Sequence, residues 1–241
     1  MMKILIIIPA FNEQENIERV VDKLIDCYPQ YSYVVVNDGS RDDTARICQK
    51  RGYHLINLPV NLGLAGAFQA GMRYAYELGF DAAVQLDGDG QHNPEYIAAM
   101  AEAMTAQDAD IVIGSRFKEK RKPKNLRMLG SNLIEAAIRL TTGTKISDPT
   151  SGMRLFSRRM LRLFANNVNY GPEPDTVSYL IRCGARVTEV QTQMNERIAG
   201  ESYLNFSRSV IYMAHMFFSI VFIQFVRKKE ETPCLPHSAL S

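Results

Sequence analysis

Apolar residues recur along this chain in two rhythms. Short segments at Lys3–Ile8, Tyr33–Val36, Tyr53–Leu58, Ala82–Leu86 and Ile111–Gly114 have the length and density of strands buried on both faces. Between them the period lengthens: in Glu15–Cys27 the apolar residues Ile17, Val20, Val21, Leu24 and Ile25 fall at helical spacing. Ala65–Leu78 predicts a small-residue helix, and Pro94–Ala106 a helix opened by proline. Ser40, with Asp43 three residues on, resembles a capping box with Asp in place of Glu, opening a helix over Thr44–Lys50. Strand and helix alternating in this way predict an α/β fold, a mostly parallel sheet with helices on both faces. Ligands of such sheets sit beyond the carboxyl ends of the strands.

The loops gathered on that edge carry the chemistry. They are Pro9-Ala10-Phe11-Asn12-Glu13, Asn37-Asp38-Gly39-Ser40, Asn61-Leu62-Gly63 and Asp87 to His92. In the last, a strand runs straight into two carboxylates one residue apart, and strand alternation turns Asp87 and Asp89 to the same side. Two hard oxygen donors with the amide oxygen of Gln91 suit Mg²⁺ or Mn²⁺, which in turn suits a diphosphate. A solvated Asp-Gly turn is spelled with the same letters, so both readings stay open at this point. Asp38 has two uses as well: accepting from a base edge or ribose hydroxyl, or capping the next helix. There is no GxGxxG and no P-loop lysine, which disfavours a dinucleotide site or an NTPase.

Composition changes this picture only by exclusion. A chain of 241 residues, 46% of them hydrophobic, buries a core as one large α/β domain or one domain with an appendage, and disorder throughout is excluded. A net charge of +2 does not point to nucleic acid. Cys27, Cys48, Cys183 and Cys234 lie far apart with no CxxC or Cys/His spacing, as expected for reduced thiols of a cytosolic chain. The apolar run Ile4–Ile8 ends at Pro9 and is too short for the core of a signal peptide.

Six motifs in order carry a resemblance: PAFNE (Pro9–Glu13), NDGSRDDT (Asn37–Thr44), NLGLAGA (Asn61–Ala67), QLDGDGQHNPE (Gln85–Glu95), GSRF (Gly114–Phe117) and DPTSGMRLF (Asp148–Phe156). From about residue 3 to about residue 205 the chain is similar to family 2 glycosyltransferases of the GT-A fold. Within these it most resembles the dolichyl-phosphate mannose synthase-like or polyprenyl-phosphate glycosyltransferases. The resemblance implies a UDP- or GDP-sugar donor, a divalent metal (Mg²⁺ or Mn²⁺) and inversion at the anomeric carbon. By motif, Pro9, Ala10, Glu13 and Asp38 would hold the nucleoside. Asp87 would lie near the ribose and diphosphate, and Asp89 with Gln91, beside Asp87, would hold the metal. Asn37 stands where the family more often has Asp.

A divalent cation stabilises the departing nucleoside diphosphate, and Arg116, Arg127, Arg154 and Arg197 are candidates to neutralise phosphates. The acceptor is a polyprenyl phosphate or, alternatively, a saccharide hydroxyl; a non-catalytic nucleotide-sugar-binding protein would be expected to lose the metal carboxylates, which are intact here. A phosphate needs no general base, whereas a hydroxyl does. Asp148 and Glu173 are the carboxylates best placed for that task, with the alternative that Asp148 caps or holds Arg154. Asp89, Asp148 and Arg154 are thus the expected catalytic residues.

Residues 116–127 hold seven basic side chains against Glu119, a local +6 that leaves −4 for the rest of the chain. Such a loop points to a phosphate or an anionic bilayer surface. Leu126, Leu129, Leu133, Ala137 and Leu140 follow at helical spacing, which suits a membrane interface or an ordinary helix packing on the core. In the resemblance, Arg127 and Ser131 match an arginine and a serine that bind the lipid phosphate, with Arg116 alongside.

Toward the C-terminus, Pro172–Cys183 predicts a helix and Val187–Thr192 a strand. Asn195–Ser202 resembles the family's arginine-glycine-serine loop, with Arg197 toward the donor phosphates and Tyr203 where a lysine often stands. Ser209–Val226 is 18 residues and nearly all apolar, against the about 20 a spanning helix wants. Arg208, Tyr212, His215 and Ser219 fall on one face, so an interfacial or oligomer-packing helix is expected rather than a span. The expected division is a catalytic domain over 1–207, this helix over 208–229 and a disordered tail over 230–241, the whole sitting peripherally on the cytoplasmic face of a membrane.

Overall fold

A computed structural model describes residues 2–123, 126–166, 171–194, 206–223 and 226, without the side chains of 126, 127 and 206–210. Arg197, the 195–202 loop, the side chain of Arg127 and the tail lie outside that description.

β1 (Ile4–Ala10) shows why the apolar segments are strands. Leu5 and Ile7 enter one core while Ile4, Ile6 and Ile8 enter the other, so every side chain of the run is used. β2 (Ser32–Asp38), β3 (Leu55–Leu58) and β4 (Ala82–Gln85) lie parallel beside it. β5 (Ile111–Ser115) and β7 (Val187–Gln191) pair in parallel with each other. Among the described residues, seven strands form one sheet in the order β3-β2-β1-β4-β6-β5-β7.

One layer holds α1 (Ile17–Cys27), α2 (Thr44–Arg51) and α4 (Ile97–Ala106), whose Ile17, Val21, Leu24, Cys48, Ile97 and Met100 seal the second core. The opposite layer holds α3 (Gly63–Glu77), α5 (Leu126–Thr142), α6 (Arg158–Asn166) and α7 (Pro174–Arg182). There Phe68, Phe156 and Phe164 meet as an aromatic triad with centroids 5.3 to 5.5 Å apart. Burial pushes the Cys48 thiol up to about 11, so it packs as an inert apolar group.

Four details differ from the pattern-based expectation. β1 runs on through Pro9 and Ala10, setting them beside Val36 and Asn37 of β2. Pro94–Tyr96 is a separate 3₁₀ turn, capped by the Asn93 side chain, before α4 begins. α2 is not opened by a Ser40 capping box: the Ser40 hydroxyl accepts from the Asn12 N–H, and Asp42 takes the Thr44 N–H instead. The sequence reading missed β6 (Arg154–Ser157) and α6, which follows it without a loop.

β6 is the one antiparallel strand described. It inserts between β4 and β5, with Arg154 opposite both Gln85 and Ile113. Because it runs the other way, the residues before it, Asp148–Met153, reach the edge where the parallel strands end.

The C-terminal segment is α8 (Phe206–Phe218), continued by a wider helical turn over Ser219–Ile223. Met216 and Ile220 are buried in the same core as α3, α5 and α6, so the described part of 208–229 is packed against the domain. Its polar stripe is only partly outward: Tyr212 donates to Glu173 and Ser219 to Asp175, while Ile211, Phe218, Phe222 and Ile223 are exposed. Among the described residues no helix is long and apolar enough to cross a membrane.

Candidate active site

The carboxyl ends of β1 to β4 bring the predicted loops together. Asn12 N–H donates to Ser40 Oγ at 3.0 Å, Arg41 N–H to Asn12 Oδ1 at 2.9 Å, and Glu13 N–H to Thr44 Oγ1 at 2.9 Å. The first two motif loops are therefore stitched into one wall. Asp38 is buried at the end of β2, and its carboxylate accepts the Leu62 N–H at 2.7 Å, not an N–H of α2. This ties the third loop to the second, while the Thr44 N–H at the start of α2 goes to Asp42. Gly39 makes the join possible: with φ at +64°, its Cα approaches the backbone of Val60 and Asn61 so closely that a Cβ would sit 2.6 Å away.

The Asp87–His92 loop completes the wall. A Cβ on Gly88 would lie 3.4 Å from the Glu13 side chain and from the Pro9 carbonyl, so Pro9, Glu13 and the paired carboxylates share one corner. Asp89 is 7% exposed and accepts the Gln91 N–H at 3.0 Å. The Asp87 side chain is 40% exposed and its Oδ1 accepts from Gln85 Nε2 at 3.2 Å. Among the described residues no three His, Cys, Asp or Glu side chains gather into a metal cage. Two carboxylates with an amide fit Mg²⁺ or Mn²⁺ when further ligands come from water and a diphosphate, as hard cations accept.

On the other half of the edge the residues are paired more tightly than the sequence suggested. Asp148 is fully buried and takes a two-point fork from Arg116, at 2.7 and 2.8 Å, plus the Arg116 backbone N–H at 3.0 Å. Its partner is thus Arg116 and not Arg154, and both of its carboxylate oxygens are taken in that pairing. Glu173, the other candidate base, accepts the Tyr212 hydroxyl. Arg154 is 2% exposed and donates to the carbonyls of Pro149 and Pro172. Burial holds its guanidinium below the ordinary arginine range, and Glu173 is the leading opposing charge. It therefore braces the chain entering β6 rather than facing a solvent-borne ligand.

Ser131 is buried in α5, where Lys122 Nζ lies 3.3 Å from its hydroxyl and 2.7 Å from Glu135. Of the expected acceptor residues, Arg116 is held by Asp148, Ser131 sits under Lys122, and the Arg127 side chain is outside the described residues. The helix stripe is decided as well: Ile134, Ala137 and Ile138 pack inward, whereas Leu129, Leu133 and Leu140 are exposed.

Two residues escaped the sequence reading. Lys122 was only one cation among seven. His92 ended the DGDGQH run, and its place just beyond a strand end was the available signal; its ring is buried, and Nδ1 accepts the Asp87 N–H at 3.0 Å.

The family model for glycosyl transferase family 2 matches residues 5–164, spanning all the loops just described. This chain belongs to glycosyl transferase family 2. The glycosyltransferase is 32% identical over 216 residues to an undecaprenyl-phosphate mannosyltransferase of Micrococcus luteus, covering 85% of this chain and 88% of the relative. It is 29% identical to a polyprenol monophosphomannose synthase of Mycolicibacterium smegmatis, over 83% of this chain and 80% of that one. Its fold is similar to glucosyl-3-phosphoglycerate synthase from Mycobacterium tuberculosis, solved with Mn²⁺, UDP and phosphoglyceric acid, with a TM-score of 0.65 at 18% identity over 92% of this chain and 79% of that one. The α/β architecture read from the strand and helix rhythm is therefore that of the GT-A enzymes.

Proposed function

We propose that this glycosyltransferase transfers a hexose from a UDP- or GDP-sugar to a polyprenyl phosphate at a membrane surface, with inversion at the anomeric carbon. Relatives named for undecaprenyl-phosphate and polyprenol-monophosphate chemistry support the acceptor class. One observation carries the choice of a phosphate over a saccharide hydroxyl: the two carboxylates placed to act as base, Asp148 and Glu173, are both committed to protein partners. A phosphate is already anionic near neutral pH and attacks without one.

In this reading Pro9, Ala10, Glu13 and Asp38 hold the nucleoside, and Asp87, Asp89 and Gln91 hold Mg²⁺ or Mn²⁺. Bound there, the cation supplies charge stabilisation for the departing nucleoside diphosphate. Arg116, set by Asp148, keeps its side chain partly exposed, while Lys122, braced by the buried Ser131, receives the acceptor phosphate with Arg127. Arg197 serves the donor phosphates. Leu129, Leu133 and Leu140 of α5, Phe218 at the end of α8 and Phe222 and Ile223 beyond it give the membrane-facing surface, with the 116–122 basic loop drawing it to anionic lipid. The enzyme then works as a peripheral protein on the cytoplasmic face, with the exposed residues Ile211, Phe218, Phe222 and Ile223 turned toward lipid.

The test is a panel of UDP-, GDP- and dTDP-hexoses offered to the purified enzyme with polyprenyl phosphate in liposomes, and separately with saccharides. The expected result is a lipid-linked product from one donor, of inverted anomeric configuration, lost on chelation and restored by Mn²⁺. Transfer to saccharides alone would overturn the acceptor assignment, and chelator-resistant turnover would overturn the metal.

A further inference from the structure

We propose that His92 is a positioning residue, which fixes the backbone and the carboxylate of Asp87 so that this side chain meets a divalent cation in one orientation. The inference rests on the metal reading above and assigns a role to a residue that reading does not use.

The imidazole is 2% exposed. Its Nδ1 accepts the Asp87 N–H at 3.0 Å, so a neutral ring carries its proton on Nε2. That Nε2 has no hydrogen-bond partner and faces Asp87 Oδ2 at 3.6 Å. A buried N–H without a partner is costly unless something makes use of it. Here it faces the carboxylate whose other oxygen is taken by Gln85 at 3.2 Å. One ring thus holds the main chain of Asp87 from one nitrogen and presents a donor to its side chain from the other. Groups behind a metal ligand set its orientation and basicity in this manner.

The ring is itself seated from behind. Gly152, in the segment that antiparallel β6 brings to this edge, leaves no room for a side chain: a Cβ there would lie 2.9 Å from His92 Cε1, 3.2 Å from Nε2 and 3.3 Å from Asp87 Oδ2. Gly152 therefore lets the imidazole and the carboxylate close on each other. A histidine that merely filled space would need neither the nitrogen pairing nor the bare backbone behind it.

The experiment is an electron paramagnetic resonance titration of Mn²⁺ into the purified full chain, alone and with saturating UDP or GDP, accompanied by thermal melts. His92→Phe keeps the volume and removes both nitrogens, and should weaken Mn²⁺ about 10- to 100-fold. His92→Gln keeps an N–H near the Nε2 position and should recover part of that loss. Gly152→Ala displaces the ring without removing it and should weaken Mn²⁺ in the same direction. A folded His92→Phe variant that binds Mn²⁺ within about twofold of wild type would overturn the inference, the expected loss being tenfold or more. If His92→Phe does not fold, weakened Mn²⁺ binding in folded His92→Gln and Gly152→Ala supports the assignment, and wild-type affinity in both overturns it. Should wild type bind no Mn²⁺ with either nucleotide, the metal reading itself fails, which is a different result from wild-type binding left unchanged by the variants.

Discussion

The two halves of the strand edge are built by different means. On the β1–β4 half, the loops are joined by hydrogen bonds between small polar side chains and neighbouring backbone N–H groups: Ser40 to Asn12, Thr44 to Glu13, Asp38 to Leu62. On the β5–β7 half the joints are charged or hydroxylic pairs between two side chains: Arg116 with Asp148, Lys122 with Glu135, Tyr212 with Glu173, Ser219 with Asp175. The first kind follows almost automatically once parallel strands are in register. Apart from Lys122 with Glu135, the second exists only after the segment leading into the antiparallel strand, or the last helix, has docked. The half proposed to bind the nucleotide donor is in this sense rigidly templated, and the half proposed for the acceptor is held by pairs that each have to be assembled.

The sharpest break in that contrast is at the carboxylates. Asp89→Asn should cut turnover by about 100-fold or more, because it removes a charge from the proposed metal site, with the thermal melt little changed since no core contact is lost. Turnover at the wild-type rate with the same Mn²⁺ requirement would remove Asp89 from the metal site.

Asp148→Asn should act the other way, costing about 3 kcal/mol of stability in urea unfolding, because it leaves the Arg116 fork without its counter-charge in a buried site. Lost transfer with unchanged stability would restore Asp148 as a base. A smaller effect is expected at the surface proposed to face lipid. Leu129→Glu or Phe218→Glu should weaken binding to anionic liposomes about tenfold, since each exposed apolar side chain contributes about 1.5–3 kcal/mol when buried in an apolar phase. Donor hydrolysis should be untouched, and a change in oligomeric state instead of liposome binding would assign that face to a second copy.

Asp38→Ala should weaken nucleotide binding by about 1–3 kcal/mol, read by calorimetry, through loss of a buried acceptor. Unchanged affinity would reduce Asp38 to its bond with Leu62. The mildest effect concerns pH. Burial, reinforced by Glu173, holds the Tyr212 hydroxyl well above the ordinary tyrosine value. The folded protein keeps this proton where the unfolded chain loses it, so the contribution is intact below about pH 10 and declines as pH rises further. Tyr212→Phe should flatten that alkaline decline.

What the sequence determined by itself follows from periodicity and from motifs that act locally. Runs such as Ile4–Ile8 had to be strands buried on both faces, because every residue is apolar and no helix stripe is left over. Their alternation with helices placed the loops after β1 to β4 on one edge, which is why Asp38, Asp87 and Asp89 were legible as a set. Tertiary structure alone decided the rest. β6 is four residues long and starts with a buried arginine, so no local pattern marks it; only its insertion between β4 and β5 brings Asp148 and Gly152 to the edge. The choice of Arg116 as the partner of Asp148 spans 32 residues, and that of Glu173 for Tyr212 spans 39. The direction in which the α5 leucines face depended on Ile134 and Ile138 taking the inward side. Sequence spacing fixes which residues share a helix face or a strand end, but which face meets the core, and which distant charge meets a buried partner, is settled by packing the whole chain.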